Sequence, residues 1–276
     1  MSFMYQRRYT GLIHSVIFDW AGTLTDFGCM APIRALTDLF RDEGLDLSGA
    51  EARLPMGMSK REHIRQLLEL PRIRRQWQQK HASPVDAATL DRLFAAYQPL
   101  QARAISDCAE LIPGARETLR YLREREIRMG TNTGYSRDLL RVLLEATHHE
   151  QLPFDSLVCA SDVPVGRPHP AMTWRNMIEL GTPCAAACVK VDDTVPGIEE
   201  GLNAGIWTVA VAVSGNETGM PLDLWEALAS DQQQARREQA TRRLQQAGAH
   251  YVIDSVADLP PVLHAIERRL SQGERP

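Results

Sequence analysis

Six short apolar runs punctuate the chain, at Ser15–Phe18, Ile127–Thr131, Ser156–Ala160, Cys188–Val191, Trp207–Val213 and Tyr251–Ile253. Each reads as a buried strand. Between several of them lie segments of helical period, among them Ala115–Glu124, Arg137–Glu145 and Pro170–Leu180. Strand alternating with helix predicts an α/β fold, a parallel sheet with helices on both faces. One stretch breaks the rhythm. From about Ala31 to Leu111 there is no convincing strand, and helical patterns cover Pro32–Glu43, Lys60–Leu70, Ile73–Lys80 and Asp86–Ala104. The expectation is a core made of residues 1–29 and 112–276, with an all-helical cap, residues 30–111, inserted after the first strand. That insertion point lies at the carboxyl end of the strand, where open α/β sheets bind ligands, so the cap could serve as a lid. Asp231–Ala247, rich in Gln, Arg and Glu, reads as a solvated surface helix.

Composition changes this picture little. Charged residues make up 24% of the 276 and the formal net charge is −4, so nothing points to nucleic acid or an anionic membrane surface. No apolar run approaches the roughly 18 residues that span a bilayer. Arg7 and Arg8 precede no long apolar stretch of a leader peptide. A cytoplasmic location is expected. The five cysteines are odd in number and scattered, which argues against a disulfide framework. Cys184 and Cys188 lie four apart, but no second Cys or His pair completes a metal site.

Candidate chemistry sits at the strand ends. Asp19 follows Val16-Ile17-Phe18 and opens the small-residue turn Ala21-Gly22-Thr23. It could be a turn or helix-capping aspartate, or a nucleophile for phosphoryl transfer. Thr131-Asn132-Thr133-Gly134-Tyr135 ends a second strand and opens a helix, which offers a hydroxyl and free N–H groups to an anion. Either threonine could supply the hydroxyl. Thr133 is preferred because Gly134 beside it lets the backbone approach a ligand closely. Arg167 stands in a loop before a proline-started helix and could pair with a phosphoryl oxygen. Asp192 and Asp193 close the run Lys190-Val191-Asp192-Asp193-Thr194, and paired carboxylates are the hard oxygen donors that Mg²⁺ prefers.

Taken in this order, these segments resemble the haloacid dehalogenase-like (HAD) superfamily of phosphotransferases, over nearly the whole chain. The resemblance implies a Rossmann-like core. It places Asp19 at the nucleophile, Thr133 with Gly134 at the phosphate-binding hydroxyl, Arg167 at the basic residue of motif three and Asp193 at the metal carboxylate. The octet Met56-Gly57-Met58-Ser59-Lys60-Arg61-Glu62-His63, together with Asp19-Trp20-Ala21-Gly22-Thr23, resembles the phosphonatase branch, the phosphonoacetaldehyde hydrolases. In that branch a cap lysine forms a Schiff base with an aldehyde, and Lys60 falls on its position.

The branch implies Mg²⁺ held by Asp19, the Ala21 carbonyl and Asp193, a pocket lined by Cys29, Met56 and Tyr135, and a homodimer. The implied reaction splits phosphonoacetaldehyde into acetaldehyde and phosphate within 2-aminoethylphosphonate degradation. Ala21 fits this chemistry. HAD phosphatases carry an aspartate there to protonate an oxygen leaving group, whereas a carbon leaving group activated through an imine does not need one. Lys60 must be partly neutral, and burial under the lid with Arg61 adjacent would lower its pKa. His63, three residues on and on roughly the same helix face, could contact substrate and shuttle protons. One departure stands out. Where a second acidic residue often follows motif four, this chain has Gly197, and Asp192 stands where a glycine often sits. Competing readings are a HAD phosphatase or phosphomutase acting on a phosphate ester, and a non-catalytic HAD-like binding protein.

Overall fold

The computed structural model describes residues 8–81, 84–148, 152 and 154–276. Arg7 lies outside them. Six parallel strands form one sheet: β1 (Ser15–Phe18), β2 (Arg128–Thr133), β3 (Ser156–Cys159), β4 (Cys188–Asp192), β5 (Trp207–Val211) and β6 (Tyr251–Ile253). Their order is β3-β2-β1-β4-β5-β6. The order reverses between β1 and β4, which in doubly wound sheets opens a crevice at the carboxyl ends of the strands. Register aligns that crevice: Phe18 pairs with Thr131 on one side and Val191 on the other. Asp19, Asn132 and Asp192, one residue further along each strand, therefore arrive at the same edge.

Side chains alternate across β1. Val16 and Phe18 join the main core with Leu119 of α6 (Ala115–Glu124) and Leu263 of α12 (Leu259–Ser271). Ile17 faces the other way, into a smaller cluster with Leu180, Cys188 and Ile206. On that second side, α8 (Ala171–Glu179) packs on β1, β2 and β3, and α9 (Val195–Asn203) packs on β4 and β5. Helices thus cover both faces, as the strand pattern predicts. The helix α7 (Arg137–Ala146) follows β2, and α11 (Ser230–Gln246) is the expected surface helix, with only Ala240 and Leu244 of its residues buried.

Between β1 and β2 lie α1 (Met30–Asp42), α2 (Gly49–Arg53), α3 (Lys60–Glu69), α4 (Pro71–Lys80) and α5 (Ala87–Cys108) before α6 is reached. The first and fifth pack along one another, and α3 packs on both α4 and α5. Helix α2 and a second five-residue helix, α10 (Leu222–Glu226), have no counterpart in the sequence reading, because five residues are too few to show a period. The start of α2 is instead written in a capping box, Ser48 with Glu51. Strand β2 runs to Thr133, two residues past the predicted end, and β5 stops two residues short at Val211. No helix among the described residues is long and apolar enough to cross a membrane.

Candidate active site

Asp19 leaves β1 with its N–H donating to the carbonyl of Val191 (3.0 Å), which holds it in line with β4. Its carboxylate is buried and receives Arg167 Nη2 at Oδ1, 2.8 Å away. Arg167 does not stand alone. Its Nε donates to Glu200 (2.9 Å), and Nη2 also reaches Asn132 Oδ1 (2.6 Å) and lies 3.2 Å from Asp192. Lys190, fully buried, donates to Asn132 Oδ1 and lies 3.2 Å from Asp192 and 3.5 Å from Glu200. Two cations thus interleave with three carboxylates beneath the sheet edge. Burial alone would raise the Asp192 carboxyl, but Arg167 and Lys190 outweigh it and hold the group below its ordinary value. Burial would likewise lower the Arg167 guanidinium, yet Asp192, Asp19 and Glu200 keep it firmly charged.

Among the described residues no cation forms an ion pair with Asp193. Its Oδ2 accepts the Asn216 N–H at 2.7 Å, and Thr23 Oγ1 stands 3.4 Å from Oδ1. Burial pushes its carboxyl well up, and the charges of Asp19 and Asp192 push it further. Asp19 is raised as well, by burial first and then by Asp192, against the pull of Arg167. Oxygens of Asp19, Asp192 and Asp193 lie within 4.8 Å of one another, the one such grouping of potential metal ligands among the described residues. Asp192 is balanced by two cations and Asp19 shares only Arg167, so the poorly compensated negative charge is that of Asp193 and, after it, Asp19. An all-oxygen pair of buried, mutually repelling carboxylates fits a hard divalent cation. The turn is shaped around this pair: Gly22 has φ +87°, and a Cβ there would stand 2.2 Å from Asp193 Oδ2.

The exchange of residue types at positions 192 and 197 has a steric reading. A Cβ on Gly197 would fall 2.0 to 2.2 Å from all three carboxyl atoms of Asp192. The Asp192 carboxylate fills the space in which a side chain at 197 would begin, and it accepts Thr194 N–H (3.0 Å) and Oγ1–H (2.8 Å) at the start of α9. Gly197→Ala should therefore displace Asp192 and lower stability by about 1–3 kcal/mol, the usual cost of overpacking. Urea denaturation reads this directly, and wild-type stability in the variant would show that the site relaxes freely.

Above Asp19 a small cavity of about 20 Å³ is lined by Ala21, Cys29, Met56, Lys60, Thr133, Gly134, Tyr135 and Arg167, among others. Residues drawn from α1, α3 and the loops after β1 and β2 thus meet in one place. Thr133 reaches it and accepts the Tyr135 N–H at 3.2 Å, whereas Thr131 lies two residues deeper in β2 and does not line it. Gly134 lines the cavity and also has a packing reason to be glycine: a Cβ there would meet the Met58 carbonyl at 2.9 Å. Cys29 donates its S–H to the Ala21 carbonyl at 3.2 Å, and burial keeps that thiol protonated. Lys60 is 6% exposed, its Nζ 3.7 Å from Met56 Sδ and 5.7 Å from the centre of the Tyr135 ring. Burial lowers its ammonium to about 8, offset in part by nearby negative groups including Asp19.

Two expectations for neighbours of Lys60 change. Arg61 is not a cation beside the amine; it pairs with Asp91 at 2.7 Å on the exposed side of α3. His63 does not line the cavity. Its Nε2–H donates to the Ala52 carbonyl at 2.8 Å, and burial together with Lys60 lowers its pKa to about 3, so the ring is neutral. Three residues of the network went unread in the sequence: Asn132, Lys190 and Glu200. Lys190 and Asp192 are two apart and so share a face of a strand otherwise buried and apolar, a signal that the pattern carried. Glu200, on an otherwise ordinary helix, left none.

A nucleophile-placed aspartate at the switch point, a buried arginine against it and a second carboxylate for a cation define a haloacid dehalogenase-like hydrolase, and the family model of that description matches residues 13–205. Within that class the chain belongs to the phosphonoacetaldehyde hydrolase family. It is 50% identical to the phosphonoacetaldehyde hydrolase of Hahella chejuensis over 276 residues, all of this chain and 94% of the relative. Identity to the phosphonoacetaldehyde hydrolase of Vibrio cholerae is 45%, over 96% of this chain and 98% of that one. The crystal structure of a phosphonoacetaldehyde hydrolase-like protein from Oleispira antarctica superposes over the full length of both chains with a TM-score of 0.98 at 43% identity.

Proposed function

We propose that this protein hydrolyses the carbon–phosphorus bond of phosphonoacetaldehyde, giving acetaldehyde and phosphate, through an imine on Lys60 and a phosphoryl group on Asp19. The observation that carries this reading is one cavity lined by a buried, partly neutral lysine and by a buried aspartate, with alanine at position 21. The helices between Met30 and Cys108 act as the cap. Their closure explains the cavity's size, which is room for about one water and demands that they move to admit substrate.

The Lys60 amine adds to the aldehyde carbon, and loss of water leaves a protonated imine. An Asp19 oxygen then attacks phosphorus. The electron pair of the C–P bond moves into the iminium, which becomes a neutral enamine; protonation at carbon and hydrolysis release acetaldehyde and free Lys60. Water cleaves the aspartyl-phosphate to phosphate. Arg167 orients Asp19 and faces the phosphoryl oxygens, with Thr133 and Gly134 opposite. Mg²⁺, held by Asp19, Asp193 and the Ala21 carbonyl, would supply the charge that lets two anions approach. Cys29 and Tyr135 remain protonated and shape the pocket with Met56. A homodimer, a cytoplasmic location and a place in 2-aminoethylphosphonate breakdown belong to the same reading and rest on the resemblance and on composition.

Borohydride reduction in the presence of phosphonoacetaldehyde tests the proposal. The chain has only three lysines, Lys60, Lys80 and Lys190, so peptide mapping is unambiguous. The adduct is expected on Lys60, with a trapping rate that rises with pH and levels off above about 8, where the amine is neutral. Trapping on another lysine, or none, removes the imine route.

A further inference from the structure

Lys60 and Asp19 belong to different layers, so their meeting depends on what fastens the helices to the sheet. Two contacts are seats without polar grip. Gly57 (φ +91°) lies against Thr194, where a Cβ would come within 2.5 Å of Oγ1, and the Met58 carbonyl rests over Gly134. Besides the links at the chain crossings and a long contact from Gln101 Nε2 to the Tyr135 hydroxyl (3.5 Å), the polar fastening among the described residues is Arg53, the last residue of α2. Its Nη1 donates to the Gly28 carbonyl at 2.7 Å and reaches Asn216 Oδ1 at 3.3 Å, and its Nη2 donates to the Gly219 carbonyl at 2.9 Å. Gly219 has φ +64°, and a Cβ there would stand 2.7 Å from Arg53 Nε, so the guanidinium occupies the space that glycine leaves.

The loop it grips is tied to the reacting groups. Ser214 Oγ donates to the Gly22 carbonyl (2.9 Å), and the Gly28 N–H donates to the Ser214 carbonyl (2.7 Å). The Asn216 N–H is the donor that holds Asp193 Oδ2, at 2.7 Å. On the opposite side, α2 is bound to the Lys60 helix through His63 and the Ala52 carbonyl. An unbroken line of contacts therefore runs from α3 through His63, Ala52, Arg53 and Asn216 to Asp193.

The geometry points to Arg53 as a positioning residue, a clasp that holds Lys60 over Asp19 and, through the same guanidinium, fixes the Asn216 amide on Asp193. The inference rests on the reading of Lys60 as the amine that meets substrate. It makes cap closure and the setting of the Asp193 carboxylate one event. A planar fork donating to carbonyls of two segments does this, and a single ammonium does not.

Hydrogen exchange measured without substrate separates the clasp from the imine chemistry, which borohydride trapping tests in the wild type. In Arg53→Gln, amides of residues 214–219 and 56–63 should both exchange about tenfold faster or more, with β1, β2 and β4 unchanged. With phosphonoacetaldehyde, kcat should fall about 100-fold, the scale of a displaced catalytic group, and more than KM rises. Arg53→Lys should recover little of either. Faster exchange confined to 56–63 would make Arg53 a brace within the helices and overturn the proposal, as would unchanged exchange in both segments. If Arg53→Gln does not fold, Gly219→Ala, whose Cβ would stand 2.7 Å from Arg53 Nε, displaces the guanidinium from the other side. Exchange at 56–63 should then rise, and a wild-type rate there sinks the clasp.

Discussion

Lys60→Ala is expected to lower kcat/KM for phosphonoacetaldehyde by about 10⁴-fold or more, the range seen when a covalent catalyst is deleted. Without an imine the C–P electron pair has no sink, and an intact phosphoryl site cannot replace it. The loss should come without unfolding. Among the described residues the Lys60 ammonium has a long contact to Met56 Sδ (3.7 Å) and lies 5.7 Å from the centre of the Tyr135 ring, so truncation strands no buried charge. The sign of the stability effect follows from the amine's pKa, about 8 in the folded chain against an ordinary 10.5. Folding penalises the charged form, by about 3 kcal/mol for a shift of this size. That penalty is fully present below about pH 8, shrinks as pH rises, and is gone above 10.5. Lys60→Met should therefore be more stable than the wild type at pH 7, with the gain vanishing toward high pH, while being inactive. Lys60→Arg keeps a charge and cannot form the imine, so it should be as inactive as the alanine variant. Turnover in Lys60→Arg would show that the residue acts only as a cation.

The sheet was legible because a strand covered on both faces must be apolar throughout, and Val16-Ile17-Phe18 shows it. The ends of β2 and β5 were not, since where a strand stops is decided by its neighbours: Thr133 stays in β2 because Cys159 of β3 pairs with it. Asp19, Lys60 and Asp193 stood out by motif, and the structure buries all three around one site, with Ala21 on the lining of its cavity. Lys60 had a second signal in plain view. Only three of the chain's 31 basic residues are lysine, so a lysine at the start of α3 stands out against the arginines that carry most of the chain's positive charge. His63 shows the limit of helical spacing. It does lie one turn from Lys60, but a backbone carbonyl on α2, a helix with no period to read, takes its ring. Gly134 shows another limit, since a glycine beside an anion site and a glycine under a packed carbonyl look alike in one dimension. Glu200 was invisible because its role exists only once α9 is laid against β4.

Glu200 is where the second large effect is expected. It joins Arg167 (2.9 Å), Lys190 (3.5 Å), Asn132 Nδ2 (3.3 Å) and the Thr173 N–H (3.1 Å), all of them buried. Glu200→Ala leaves two buried cations facing two carboxylates, one of which, Asp19, must be free for chemistry. Breaking a buried ion pair at one partner costs about 3–5 kcal/mol, and urea denaturation should show a loss of that order. Glu200→Gln keeps the shape and one acceptor oxygen but removes the charge. Arg167 should then turn further onto Asp192 and away from Asp19, lowering kcat about 100-fold for a displacement near 1 Å. Adding Lys190→Met to Glu200→Gln returns these groups to the wild-type balance of one excess negative charge, so the double variant should regain stability that the single variant loses. Activity should not return with it, because Arg167 still lacks the carboxylate that fixes its Nε. A double variant that recovers kcat as fully as stability would mean that Glu200 only balances charge and has no part in aiming Arg167 at the nucleophile.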